Sequence, residues 1–240
     1  MNLLRSFSFL FGLSLVALII AVPQPFNFLT LVLGCVVSAI VIFLGLRAAV
    51  YSGRRATLIE LPGKREANGS VHLKNLVWAL LAGVLLGASL LLLLLFFSSI
   101  EPRLVARLAA RADQPTWMPV ALAIEASILE ELGFRLFLMS GIVWLLMRFR
   151  RAESAQPPSA IVWIALMVSA LAFGLVHLPS WFAVVSPTPF LVTIVLVLNG
   201  LGGILLGWVY WYWGIEAAIL CHFAGDMMIQ SFGPSLVGGG

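Results

Sequence analysis

The chain has 240 residues, of which 62% are hydrophobic and only 10% charged, with a formal net charge of +4. Soluble domains carry roughly 25% charged residues, so this composition excludes a set of soluble domains and calls for one integral membrane domain. A charge this small argues against nucleic acid as a partner, and the basic residues gather in loops, as beside an anionic membrane face.

A bilayer span needs about 20 mostly apolar residues. Stretches over 7–22, 26–46, 75–98, 118–147, 159–178, 190–211 and 214–232 qualify, predicting an all-α, polytopic transmembrane helix bundle of about seven spans. The first resembles a signal peptide, with Arg5 before an apolar run. It lacks a small-x-small cleavage site and another span follows at once, so it reads as a retained helix. Cys35 and Cys221 lie in apolar stretches and read as small buried hydrophobes rather than a disulfide framework.

The 47–74 loop carries Arg47, Arg54, Arg55, Lys64, Arg65 and Lys74, and is broken by Gly53, Pro62, Gly63 and Gly69. Chain organisation follows: 1–74 is a two-helix N-terminal segment plus the basic loop, and 75–117 a third span and a short helix. Residues 118–232 form a membrane core and 233–240 a tail. In the short helix, over 101–112, Arg103, Arg107 and Arg111 recur every four residues, with Leu104, Val105 and Leu108 on another face. That is the pattern of an interfacial amphipathic helix; a solvated loop helix fits equally. Pro157 and Pro158 break the chain, and Pro179 is expected to end a helix just past His177. Arg148, Arg150 and Arg151 join Arg5 and the basic loop on one side, opposite Arg103, Arg107 and Arg111. The positive-inside rule then gives a cytoplasmic N-terminus and, with seven spans, an outside C-terminus.

Of the ten acidic residues, Glu125, Glu130, Glu131, Glu216 and Asp226 fall inside predicted spans, as do His177 and His222, whereas His72 lies in a polar loop. An ionised side chain at a helix centre costs about 2.5–3.5 kcal/mol on insertion scales. Helical spacing sorts them. Glu131 and Arg135 are four apart, on one face, where a Glu-to-Arg pair is well oriented. Glu130 lies about 100° around the helix from Glu131 and has no local cation. A carboxylate so placed suits a general acid or base, which makes Glu130 the chemical candidate and Glu131 the structural one. His222 and Asp226 are again four apart, and so are Phe173 and His177, which sets an aromatic ring one turn below an imidazole. Each pattern also has a plainer reading: a buried ion pair, interfacial packing, or an interhelical hydrogen bond. Glu125 has no partner at helical spacing. Glu216, near a helix start, fits the N-terminal end of the helix dipole.

Taken in order, E-E-x-x-x-R at Glu130-Glu131-Arg135, F-x-x-x-H at Phe173-His177 and H-x-x-x-D at His222-Asp226 resemble the CAAX protease and bacteriocin-processing family of intramembrane proteases, also called the CPBP or Abi family. The run from Gly203 to Gly207 and from Gly214 to His222 is similar to that family's approach to its third motif. The resemblance covers residues 118–232; residues 1–117 carry no recognisable signature. It implies that Glu130 and His177 activate a water for attack on a peptide carbonyl, while His222 and Asp226 stabilise the oxyanion. Glu131, Arg135 and Phe173 would support the site. The family's eukaryotic prenyl-protein enzymes often have asparagine at the last position, where this chain has Asp226.

The resemblance further implies a bacterial inner-membrane location, with membrane lipid and a membrane-anchored protein or peptide substrate as partners. No cofactor is required by this reading. Zinc is the alternative, since Glu130, His177, His222 and Asp226 are a possible ligand set, although no H-E-x-x-H stands in the chain. Two other readings use the same residues. One is an intramembrane proton or metal relay of a transporter, against which no internal repeat is found; the other is a catalytically silent scaffold of the same fold.

Overall fold

In lipid every backbone polar group must be satisfied within its own segment, so long apolar runs can only be helices. A computed structural model describes residues 3–21, 27–52, 65–150 and 156–237, with backbone alone over 65–71. Its elements are α1 (Leu3–Ala21), α2 (Phe28–Tyr51), α3 (Arg65–Ser98), α4 (Arg103–Ala109), α5 (Met118–Glu130), a π-helical segment (Glu131–Met139), α6 (Ser140–Phe149), α7 (Ser159–Phe182), α8 (Pro189–Trp213) and α9 (Ile215–Val237). No strand occurs among the described residues.

Six helical stretches among the described residues are long and apolar enough to cross a bilayer: α1, α2, His72–Ser98 of α3, Met118–Phe149, α7 and α8. The last helix of the bundle, α9, has 23 residues but is interrupted by Glu216, His222, Asp226 and Gln230. It packs against α3, α5 and α8, so the polar helix is lined by apolar neighbours. The protein is thus an integral, multi-pass membrane protein. Cys221 is buried and Cys35 half-buried, and both are free.

Local sequence sets several ends. Asn27 caps α2 by accepting from the Thr30 amide at 3.1 Å, and Thr188 caps α8 through Leu191 at 3.1 Å, with Pro189 in the first turn. Gly214 has φ 98°, a conformation open to glycine, and reverses the chain directly from α8 into α9.

Three expectations change. Part of the 47–74 loop is helical, because α2 runs to Tyr51 and α3 begins at Arg65. Arg54, Arg55, Lys64, Gly53, Pro62, Gly63, Arg151 and tail residues 238–240 lie outside the described residues. Pro179 does not end α7, which continues to Phe182. A proline near a helix end removes one hydrogen bond. Here the final turn is closed by Ala183 N–H to Pro179 O at 3.0 Å, and Trp181 is buried with Leu104, Leu108, Leu191 and Leu198. Finally, the 118–147 span is interrupted by the π-helical segment.

The tightest contact in the bundle joins α3 to α9. A Cβ on Gly83 would strike the Cys221 carbonyl oxygen, and one on Gly87 the Gly225 carbonyl oxygen, with Gly225 Cα at 2.8 Å. Small residues four apart let backbones touch, which is how membrane helices gain packing energy without a hydrophobic drive. Gly83→Ala and Gly87→Ala should each destabilise the protein by about 1–3 kcal/mol through overpacking. The check is a lowered thermal midpoint in detergent. Gly12→Ala, where a Cβ meets nothing within 4 Å, should leave the midpoint unchanged or raise it slightly.

Candidate active site

The site begins where α5 stops being regular. The Ser140 amide bonds the Arg135 carbonyl five residues back, which is the π-helical spacing. The wider turn leaves carbonyls short of their usual partners, and hydroxyls take them up. Ser169 Oγ of α7 donates to Phe134 O at 2.8 Å, and Ser140 Oγ donates to Arg135 O at 3.4 Å while meeting the Tyr210 hydroxyl of α8 at 2.6 Å. A π-bulge inside a helix is often found at a functional site.

Glu131 and Arg135 are both fully buried. Their ion pair, expected from the spacing, measures 3.2 Å. The partner that spacing did not give is His222 of α9, whose Nδ1–H donates to Glu131 Oε1 at 2.9 Å. Arg135 also lies over the Phe173 ring, 4.4 Å from its centroid, and its Nη2 reaches Gly203 O at 3.5 Å. One carboxylate and one guanidinium thereby tie the π-helical segment to α7, α8 and α9.

Each imidazole is oriented through its Nδ1. With Nδ1 held by Glu131, His222 turns Nε2 towards Glu130 Oε2 and Asp226 Oδ1, each 3.8 Å away. His177 donates from Nδ1 to the Phe173 carbonyl at 2.7 Å, which leaves its Nε2 facing Glu130 Oε2 at 3.9 Å. The Phe173 ring packs on His177 at 4.6 Å and meets His222 edge-on at 5.8 Å. Glu130 therefore sits between two ring nitrogens, just beyond direct hydrogen-bond reach.

Glu130, His177, His222 and Asp226, which come from three helices, converge on one cavity of about 290 Å³. Its walls also include Glu125 and Asn199 and the apolar Leu94, Leu122 and Ile229. Glu130, Asp226 and His177 retain 29%, 23% and 19% of their side-chain exposure, enough to meet water, whereas Glu131 retains none. Glu216 lies in the first turn of α9, where the helix dipole favours a carboxylate.

The roof is α4. Its Leu104 and Leu108 are buried, while the Arg107 guanidinium lies over the Trp181 ring at 5.3 Å. Beyond its end, Arg111 donates to Gln230 Oε1 at 3.1 Å, and Gln230 Nε2 donates to Asp226 Oδ2 at 3.0 Å. The motifs thus extend one turn further than expected, as Phe173-His177-Trp181 on α7 and His222-Asp226-Gln230 on α9. Each ladder ends on an arginine. Burial lowers the pKa of both arginines, and that of Arg107 is lowered further by the Arg111 charge; Asp226 opposes the shift at both, and Glu130 also at Arg107. Sequence reasoning passed over Arg107, Arg111, Trp181, Asn199 and Gln230 as site residues. The continued four-residue spacing was the available signal for all but Asn199.

Residues 112–228 match the family described as Rce1-like, type II CAAX prenyl endopeptidase. No curated protein and no solved structure matches the chain.

Removing one member of a buried charge pair strands the other, at a cost of about 3–5 kcal/mol. Glu131→Gln should therefore lower thermal stability strongly, since Arg135 is fully buried. Glu131→Gln combined with Arg135→Met should be more stable than Glu131→Gln alone, as measured by thermal unfolding in one detergent.

Proposed function

We propose that this chain, which belongs over residues 112–228 to the Rce1-like family of type II CAAX prenyl endopeptidases, is an intramembrane endopeptidase that hydrolyses a peptide bond in a membrane-associated protein or peptide. The observation that carries the reading is the Glu130 carboxylate set between the Nε2 atoms of His177 and His222 at 3.9 and 3.8 Å. A water held there has a base on one side and a space for a carbonyl on the other. The charge asymmetry of the loops favours a cytoplasmic N-terminus, and a bacterial inner membrane is the location the family resemblance implies.

In this mechanism Glu130 takes a proton from the water, with His177 orienting it, and the hydroxide oxygen bonds to the carbonyl carbon. The carbonyl π pair moves onto oxygen, giving a tetrahedral oxyanion. His222 is flanked by Glu131 at Nδ1 and Asp226 near Nε2. Its positive form is balanced on both sides and offers Nε2–H to the oxyanion. When the C–N bond breaks, Glu130 returns its proton to the leaving nitrogen. Electrostatic stabilisation of this kind is commonly the largest contribution to such a rate.

No step asks for a metal. Glu130 itself serves as the base in this reading. His222 also has its Nδ1 engaged by Glu131 and its Nε2 aimed at two carboxylates.

Glu130→Gln keeps the shape but loses the base, so cleavage of a peptide substrate should fall by about 10²–10⁴-fold while the thermal midpoint stays close to wild type. An active Glu130→Gln would remove Glu130 from the mechanism. A chelator that binds zinc should leave the rate of the purified protein unchanged; loss of activity restored by zinc alone would replace the metal-free mechanism with a zinc-dependent one.

A further inference from the structure

We propose that Arg107 of α4 is a catalytic residue, the second hydrogen-bond donor to the oxyanion, acting with His222 on the bound peptide carbonyl. The inference rests on the endopeptidase reading and adds to it a residue outside the matched stretch 112–228.

The cavity's donors narrow the choice. An oxyanion needs donors already in place where charge develops. As a carboxylate Asp226 only accepts, and it is engaged by Gln230 Nε2 at 3.0 Å. The Asn199 amide spends one of its two N–H groups on Val195 O of its own helix at 2.8 Å. His177 spends Nδ1–H on Phe173 O, and Arg111, though it keeps further N–H groups, is anchored through Nη1 to Gln230 Oε1 at 3.1 Å.

Arg107 differs from the other described arginines near it. Arg103 pairs with Glu101 at 3.8 Å and Arg135 with Glu131 at 3.2 Å. Among the described residues Arg107 makes no hydrogen bond and no ion pair, yet it lines the same cavity as Glu130, His177, His222 and Asp226. Its one described partner is the Trp181 ring at 5.3 Å, which orients the guanidinium without occupying its N–H groups. Trp181 follows His177 by one helical turn, so the cation stands one turn above the imidazole that faces Glu130. The Asp226 and Glu130 charges already act on it through space. A peptide carbonyl entering between α4 and Glu130 would have the guanidinium on its oxygen side.

As the water oxygen bonds to carbon, the carbonyl electron pair moves to oxygen and an Arg107 N–H donates to it. When the carbonyl re-forms and the C–N bond breaks, that charge is withdrawn and Arg107 is released unchanged. Arg107 stays protonated throughout, so the proton count of the reaction is that of Glu130 and water alone.

The test uses the full chain in detergent or liposomes, a peptide substrate, and a phosphinic peptide as a stable tetrahedral anion. R107Q should lower kcat by about 10²–10³-fold with KM nearly unchanged, and should weaken the phosphinic peptide by a similar factor. R103Q, on the exposed side of α4, should match wild type in both. R107K keeps a charge without the planar fork and should retain a part of kcat; if R107Q fails to fold, a folded R107K with reduced kcat and reduced phosphinate affinity carries the proposal. A wild-type kcat in either variant, or a raised KM with kcat unchanged, overturns it, the second result making Arg107 a ground-state contact. A wild type that cleaves no peptide would overturn the endopeptidase reading, and this inference with it.

Discussion

A carboxylate with no exposure to solvent or lipid organises this protein. Glu131 meets Arg135 on its own segment and His222 on α9, and Arg135 in turn reaches Phe173 of α7 and Gly203 of α8. Burying opposite charges rarely adds net stability, because desolvation offsets the attraction. What such a pair does supply is an exact demand: each partner must find the other or stay stranded in a medium that tolerates neither. The packing of four helices is the answer to that demand. His222 points its Nε2 at Glu130 as a result, and His177, held by the Phe173 carbonyl of its own helix, faces it from the other side.

This explains why adjacent glutamates have opposite fates. On a helix they diverge by about 100°, so one faces the ion pair and the other the cavity. The π-helical segment begins at Glu131. It widens the helix near Arg135, and the Ser169 hydroxyl of α7 and the Ser140 hydroxyl, itself met by Tyr210 of α8, take up carbonyls of the irregular backbone. The chemistry of the site thus depends on a defect in helix geometry that other helices complete.

Much of the helical layout was legible in the sequence, since bilayer thickness leaves apolar runs few alternatives. Spacing of four also read correctly within single helices: Glu131 with Arg135, Phe173 with His177, and His222 with Asp226 all lie close. Contacts between helices were beyond that reasoning. Nothing at local spacing links Glu131 to His222, and the pairing depends on how α9 is rotated against the π-helical segment. The π-helix itself was hidden, because its residues are as apolar and helix-compatible as their neighbours. Pro179 misled for a related reason: one missing hydrogen bond near a helix end is outweighed by the burial of Trp181. The arginines of α4 were visible as a stripe. The space they face was not, because it is enclosed by residues from six helices, α3, α4, α5, α7, α8 and α9.

The glycine contact between α3 and α9 has a consequence for how this site can be inherited. His222 and Asp226 sit on a helix whose backbone lies directly on Gly83 and Gly87, well before the stretch in which the motifs stand. The fit admits no side chain at Gly83 or Gly87, so α3 is a mould for α9 rather than a spacer beside it. A recombinant that exchanged only the motif-bearing half with another protein would keep every catalytic residue type and lose the surface that sets their depth and rotation. The heritable unit of the active site is longer than its signature, and substitutions on α3 would be read as active-site changes though none of its residues takes part in the reaction.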